Sequence, residues 1–262
     1  MSSTVAKALA MLDHFSEDEP ELGLSELARR AGADKATVHR MLAVMADAGI
    51  VEQRSDTKFY RLGAGVLRLA RVREHAFPVT SIYQAALDRL MAETEETAHA
   101  SLISGRALAT IAVRESTRGS RVSLVAGDIL PFHSTASGIA ILAFCEKKLR
   151  DRVLASQLEA RTAQTLTQAD AIQQQINRSA ERGYSMADQT NEDDVYGIAA
   201  PVFDQAGYAV GAVAVATPAH RMTDSLRGTI IAGVMREAGK VTFETGGRIP
   251  SAFAQLISQN AR

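Results

Sequence analysis

Residues Leu24 to Gly49 read LSELARRAGADKATVHRMLAVMADAG, and the spacing of apolar side chains in this stretch decides the fold of the first part of the chain. Ser25 supplies an N-cap oxygen, with Leu24 as a staple residue before it. Leu27, Ala28 and Ala31 then form the inner face of a short helix closed at Gly32. Asp34 caps a second helix whose Val38, Met41, Leu42 and Met45 recur at helical spacing, and Gly49 sits where a left-handed C-terminal residue is expected. Two helices joined by so brief a turn predict a helix-turn-helix.

Working outward, Val5, Ala8, Leu9, Leu12 and Phe15 repeat with the period of an amphipathic helix and predict one buried face. That helix ends in a loop carrying Glu17, Asp18, Glu19, Pro20 and Glu21. On the other side, Ile50 to Arg54 and Lys58 to Leu62 flank the polar turn Ser55-Asp56-Thr57, which predicts a β-hairpin. Three helices followed by a hairpin make a winged helix-turn-helix pattern. Gly63-Ala64-Gly65 is a break, after which Val66, Leu69, Ala70 and Val72 alternate with Arg68, Arg71 and Arg73 in a linker helix punctuated at Pro78.

Beyond residue 78 a helix with Ile82, Ala86, Leu87, Leu90 and Met91 precedes runs of strand period at 99–104, 107–113 and 122–125. Helices are predicted over 135–144 and 167–182, strands over 197–203 and 208–217, and a last helix from Thr223. This order gives an α+β fold with an antiparallel sheet covered by helices.

Composition and charge narrow the function. The 262 residues carry 29 Lys and Arg against 30 Asp and Glu, so nucleic-acid binding needs a local excess of positive charge. From Leu24 to Arg73 there are ten basic and five acidic residues, a local +5. One Cys and six dispersed His exclude a disulfide framework and a thiolate zinc site, so no metal and no cofactor is expected. The apolar runs are too short to cross a bilayer as helices, and no leader is visible, so a cytoplasmic protein is expected. Catalysis is disfavoured. Thr135-Ala136-Ser137-Gly138-Ile139 lacks the framing glycines of a nucleophile elbow, no phosphate-binding P-loop or dinucleotide fingerprint occurs, and Cys145 sits in an apolar run as a core residue. A lone His133 near Ser137 reads as a structural hydrogen-bonder.

Four segments in order resemble the IclR family of bacterial transcription regulators. They are the helix-turn-helix, with Lys35-Ala36-Thr37-Val38-His39-Arg40-Met41-Leu42; the wing exit Tyr60-Arg61-Leu62-Gly63; Leu130-Pro131-Phe132-His133-Ser134-Thr135-Ala136-Ser137-Gly138; and the strand pair Gly197 to Phe203 with Gly211 to Val215. The resemblance implies a winged helix-turn-helix over residues 1–63, a linker helix over 64–77 and a GAF-like effector-binding domain over 78–262. It also implies a homo-oligomer, a dimer or dimer of dimers, acting as repressor or activator on double-stranded operator DNA of a catabolic operon.

The candidate DNA contacts are Ser25, Lys35, Ala36, Thr37, His39 and Arg40 on the helices, and Arg54, Lys58 and Arg61 on the wing. The candidate effector contacts are Ala136, Ser137 and Gly138, whose amides open a helix and favour an anion, together with Asp188, Gly197, Ala214 and Ala216. Some family members place Cys or Ser where this chain has Gly197, Ala214 and Ala216, and the family's acidic run reads here Ala187-Asp188-Gln189-Thr190. Small residues enlarge a pocket wall, which points to a small carboxylic acid with an aromatic or bulky apolar body; the alternative is that they only let a helix pack closely. Two other classes remain at this stage: a small-molecule enzyme or carrier with an appended winged helix, and a ligand-independent DNA-packaging protein.

Overall fold

The computed structural model describes residues 4–16, 19–76 and 79–260, so the expectations at Glu17, Asp18 and Pro78 lie outside the described residues. The chain divides into two compact units, and the break falls between residues 76 and 79.

The first unit contains α1 (Thr4–Ala10), α2 (Leu24–Arg30), α3 (Lys35–Asp47), β1 (Val51–Gln53), β2 (Tyr60–Leu62) and α4 (Ala64–Ala76). Asp34 caps α3 by accepting a hydrogen bond from the Thr37 amide at 2.8 Å, and Gly49 ends that segment at φ 71°. Gly23, not Ser25, is the N-cap of α2, so Ser25 stands exposed inside the first helical turn. The core joins Met11, Leu22, Leu27, Val38, Leu42, Met45, Val51 and Tyr60. Val5 and Leu9 do not reach it and are 67% and 58% exposed. The reason is that α1 stops at Ala10 and a tighter turn follows at Leu12–His14, so the helical period of the sequence is broken before Leu12 and Phe15. The hairpin is shorter than its apolar runs. A third segment joins it where Leu22 and Tyr60 exchange both backbone hydrogen bonds at 2.9 and 2.8 Å. Gly63 and Gly65 donate from their amides to the carbonyls of Ile50 and Gly49, each at 2.8 Å, and a Cβ on either would overlap Gly49. They bring α4 against the end of α3 and are more than a break.

The second unit runs α5 (Val79–Thr94), β3 (Thr97–Ser104), β4 (Ala107–Arg114), β5 (Ile129–Leu130), α6 (Ala136–Phe144), α7 (Lys147–Leu154), α8 (Ala169–Arg182), β6 (Ser185–Asp188), β7 (Val195–Phe203), β8 (Ala209–Pro218), α9 (Asp224–Glu244) and α10 (Ser251–Asn260). Its strands form one antiparallel sheet in the order β5-β4-β3-β8-β7-β6. The fold is therefore α+β, with helices packed on an antiparallel sheet.

Side chains alternate along each strand, so residues directly opposite share a face. One face carries Ala98, Ala100, Ile198, Ala200, Val213 and Val215, which are buried in one core with Leu87 and Leu90 of α5 and Ile230 and Val234 of α9. The other face carries Thr97, His99 and Ser101 on β3, opposite Ala216, Ala214 and Ala212 on β8, which in turn face Gly197, Ala199 and Pro201 on β7. Helix α6 is buried along almost its whole length, and its Ala136 and Ala140 meet Ala187, Ala199 and Ala214. Residues 122–125 form no strand. Val122 is fixed instead by a side chain, its carbonyl accepting from Thr97 Oγ1 at 2.6 Å.

Candidate functional site

In the first unit the exposed start of α3 presents Lys35, Ala36, His39 and Arg40, with Thr37 half-buried and bound through Oγ1 to Arg40 Nη2 at 3.3 Å. Lys35, Arg40 and Lys58 form no ion pair with a described residue, so their charge stands available to a partner. The two wing arginines differ. Arg54 pairs with Asp56 at 2.6 Å and Glu21 at 3.3 Å, and Arg61 pairs with Glu52 at 2.6 Å. These carboxylates already occupy the guanidinium groups, so Arg54 and Arg61 would have to exchange partners to reach a phosphate. Lys58 sits at the hairpin tip with φ 60°, held there by its amide, which donates to Arg54 O at 3.1 Å.

In the second unit the start of α6 opens on a cavity of about 480 Å3, including its mouth. Thr135 caps the helix, its Oγ1 accepting from the Gly138 amide at 3.0 Å, and a Cβ on Gly138 would overlap the Phe132 carbonyl. Gly138 is thus a packing residue whose donor is already used. Among the described residues the amides of Ala136 and Ser137 have no acceptor, which reduces the expected three anion donors to two.

Of the small residues, Gly197 and Ala216 lie opposite each other and line the cavity. Ala214 does not line it; it is buried in the alanine cluster under α6, where its small size lets the helix approach. Asp188 is exposed at the end of β6 and lines a separate, second cavity. The floor and rim of the first cavity include residues that sequence reasoning missed: His99, Val122, Leu124, Leu130, Asn191 and Glu192. His99 is buried, its Nε2 lies 3.5 Å from Ser137 Oγ, and its Nδ1 has no partner. Burial pushes the imidazole down to about 4, so it is neutral at pH 7 and carries one N–H donor. Beyond it on the same face, Ser101 Oγ and Thr110 Oγ1 are also buried without partners. A histidine inside an apolar strand carries no motif, so only the register of β3 reveals it.

The rim is held by hydroxyl tethers. Thr190 Oγ1 donates to Ser134 O at 2.6 Å, Ser134 Oγ donates to Asn191 Oδ1 at 2.9 Å, and Thr162 Oγ1 and Thr165 Oγ1 donate to Gln189 O and Thr190 O at 2.6 and 2.7 Å. No lysine or arginine lines the cavity among the described residues. Its lining is therefore one of neutral donors above an apolar wall, with Glu192 as its one carboxylate among the described residues, exposed at the rim.

Both halves of this arrangement have counterparts. The model of the IclR helix-turn-helix domain matches residues 4–55, and that of the bacterial transcriptional regulator IclR C-terminal domain matches residues 74–242. The chain belongs to the IclR family of transcriptional regulators. A glycerol operon regulatory protein of Streptomyces griseus is 30% identical, over 84% of this chain and 86% of that one. A solved IclR-type regulator from Silicibacter sp. TM1040 superposes with a TM-score of 0.89 at 38% identity, covering 96% of this chain and 99% of its own. An IclR homolog of Microbacterium hydrocarbonoxydans, solved in complex with 4-hydroxybenzoate, shares the fold with a TM-score of 0.75 at 21% identity, covering 93% and 99%.

As an IclR-family member the chain is a DNA-binding transcriptional regulator with an effector-binding domain, and the enzyme and packaging alternatives fall away. Among the described residues no helix is long and apolar enough to cross a membrane.

Proposed function

We propose that this regulator controls a catabolic operon and that its effector is a small carboxylic acid with an aromatic or otherwise bulky apolar body, bound in the cavity at the start of α6. The observation that carries this reading is the pairing of polar groups that lack partners with an apolar wall: the amides of Ala136 and Ser137 and the Nδ1 of His99 share the cavity with Gly197, Ala216, Val122 and Leu124. Amides at a helix N-terminus favour negative charge. With no cationic side chain to offset desolvation, a short and strongly hydrated acid gains little here, whereas an apolar body gains from leaving water. The 4-hydroxybenzoate complex of the Microbacterium hydrocarbonoxydans homolog supports the same ligand class on this fold. Operator recognition is assigned to Lys35, Ala36, Thr37, His39 and Arg40, with Ser25 at the start of α2 and Arg54, Lys58 and Arg61 on the wing as flanking contacts.

Calorimetric titration of the purified protein with benzoate, 4-hydroxybenzoate, pyruvate and glyoxylate tests the effector class. Saturable heat is expected from the aromatic acids and is expected to vanish in Ala216→Phe, whose ring fills the space beside Gly197. Tight binding of glyoxylate or pyruvate with none by the aromatic acids would overturn the reading, as would an unchanged titration in the variant.

A further inference from the structure

The second cavity spans about 910 Å3, its open mouth included, and is walled by α8, by the stretch just before it and by β6 with its following loop. Arg178 and Arg182 stand four apart on α8 and therefore share a face of the helix, and both line this space. Neither pairs with a carboxylate among the described residues. Arg182 is half-buried; its Nε donates to Tyr184 O at 2.8 Å and its guanidinium carbon lies 4.8 Å from the centre of the Tyr184 ring. Those contacts leave its terminal nitrogens without an acceptor among the described residues. Arg178 has neither an ion pair nor a hydrogen bond from its side chain to a described residue. Asp188 is the one acid on the wall among the described residues; its Oδ1 accepts from Gln189 Nε2 at 3.2 Å, and it stands beyond ion-pair distance of both arginines.

Partial burial of a guanidinium without an anion is unfavourable, and the planar fork of arginine fits carboxylate or phosphate oxygens two at a time. Apolar surface from Ile139, Leu166 and Met186 lies in the same cavity, and the amide side chains of Gln164 and Gln175 add neutral donors and acceptors. We propose that this cavity is a second ligand site, separate from the cavity at the start of α6, and that it takes a small organic anion whose carboxylate or phosphate is held by Arg178 and Arg182. The two cavities share Ala187, yet their other walls differ, so a ligand in each touches different methyl groups.

The test uses the full chain with methyl-labelled Met, Ile, Leu and Val, titrated at constant ionic strength with citrate as the carboxylate probe and glycerol 3-phosphate as the phosphate probe. Saturable binding of at least one probe is expected, with shifts at Met186 and Ile139 and none at Val122 or Leu124. Which probe binds identifies the anionic group. Arg178 is exposed, so Arg178→Gln removes a charge without disturbing the core, and it is expected to weaken binding by about tenfold or more. The site is refuted if neither probe saturates at millimolar concentration, if the shifts fall on Val122 and Leu124, or if Arg178→Gln binds as the parent does. None of these outcomes depends on whether an aromatic acid occupies the first cavity.

Discussion

His99 shows how a single side chain sets both the chemistry and the pH response of the cavity. Its ring lies within the sheet face covered by α6, beside Ser137 of that helix and on the face that also carries two buried hydroxyls, and among the described residues Glu192, on the exposed rim, is the one carboxylate lining the space. Desolvation lowers the imidazole to about 4, whereas the unfolded chain leaves it near its ordinary value of 6.5. The unfolded state therefore binds the extra proton over this interval. The stabilisation is complete above pH 6.5 and is lost progressively as pH falls toward 4. Denaturant titrations from pH 7 to 4 are expected to show falling stability, with a slope reduced by up to one proton in His99→Gln, which cannot titrate. An unchanged slope would mean that the ring is protonated or solvated in the folded protein. The sequence hides this residue because it shows one polar side chain in an alternating run, and a satisfied core histidine gives the same pattern; Ala136 and Ser137 could be singled out because they stand at the start of an apolar helical run, where the first amides lack acceptors within the helix.

At the scale of elements, legibility followed periodicity and punctuation. Helix α3 has four inward residues at helical spacing between Asp34 and Gly49, and its bounds could be read directly. Strand β6, at four residues, and helices α7 and α10 have too short or too mixed a pattern to be read, and β6 matters because it contributes a wall to each cavity. The small-residue strands β7 and β8 held two meanings at once: Ala216 and Gly197 leave space, whereas Ala214 lets α6 approach, and only their opposition across the sheet and to α6 separates the two roles. Charge on the wing was similarly ambiguous in sequence. Once Arg54 and Arg61 are seen paired to acids, Arg40 becomes the arginine of the reading head with an uncommitted charge. Replacing Arg40 by Ala is expected to weaken operator binding by about 1–3 kcal/mol, measured by anisotropy at fixed salt, while leaving effector binding unchanged. Full operator affinity in the variant would remove Arg40 from the contact surface.

For the whole molecule, the two units have separate cores: residues 11 to 60 supply one, and residues 83 to 253 supply the other. The first core is small, and its unit leaves Val5 and Leu9 on α1 and Leu67, Leu69 and Val72 on α4 exposed, with Val72 at 61%. Apolar side chains concentrated on two helices of so small a unit suit burial against a second copy, and a two-fold dimer matches the repeated half-sites that helix-turn-helix proteins read. The expected outcome is a dimer or larger assembly by sedimentation at micromolar concentration. Leu67→Asp with Val72→Asp is then expected to shift the mass toward the monomer and to weaken operator binding, because a monomer reaches one half-site only. The effector-binding unit has its own core, so an aromatic acid should still raise its melting temperature in the double variant, because binding adds RT ln(1 + [L]/Kd) to the stability of the folded unit, about 2.7 kcal/mol at a hundredfold excess over Kd. An assembly unchanged by both substitutions would place the contact on other surfaces of the chain. Loss of the ligand-dependent rise would show instead that the second core depends on the assembly for its stability.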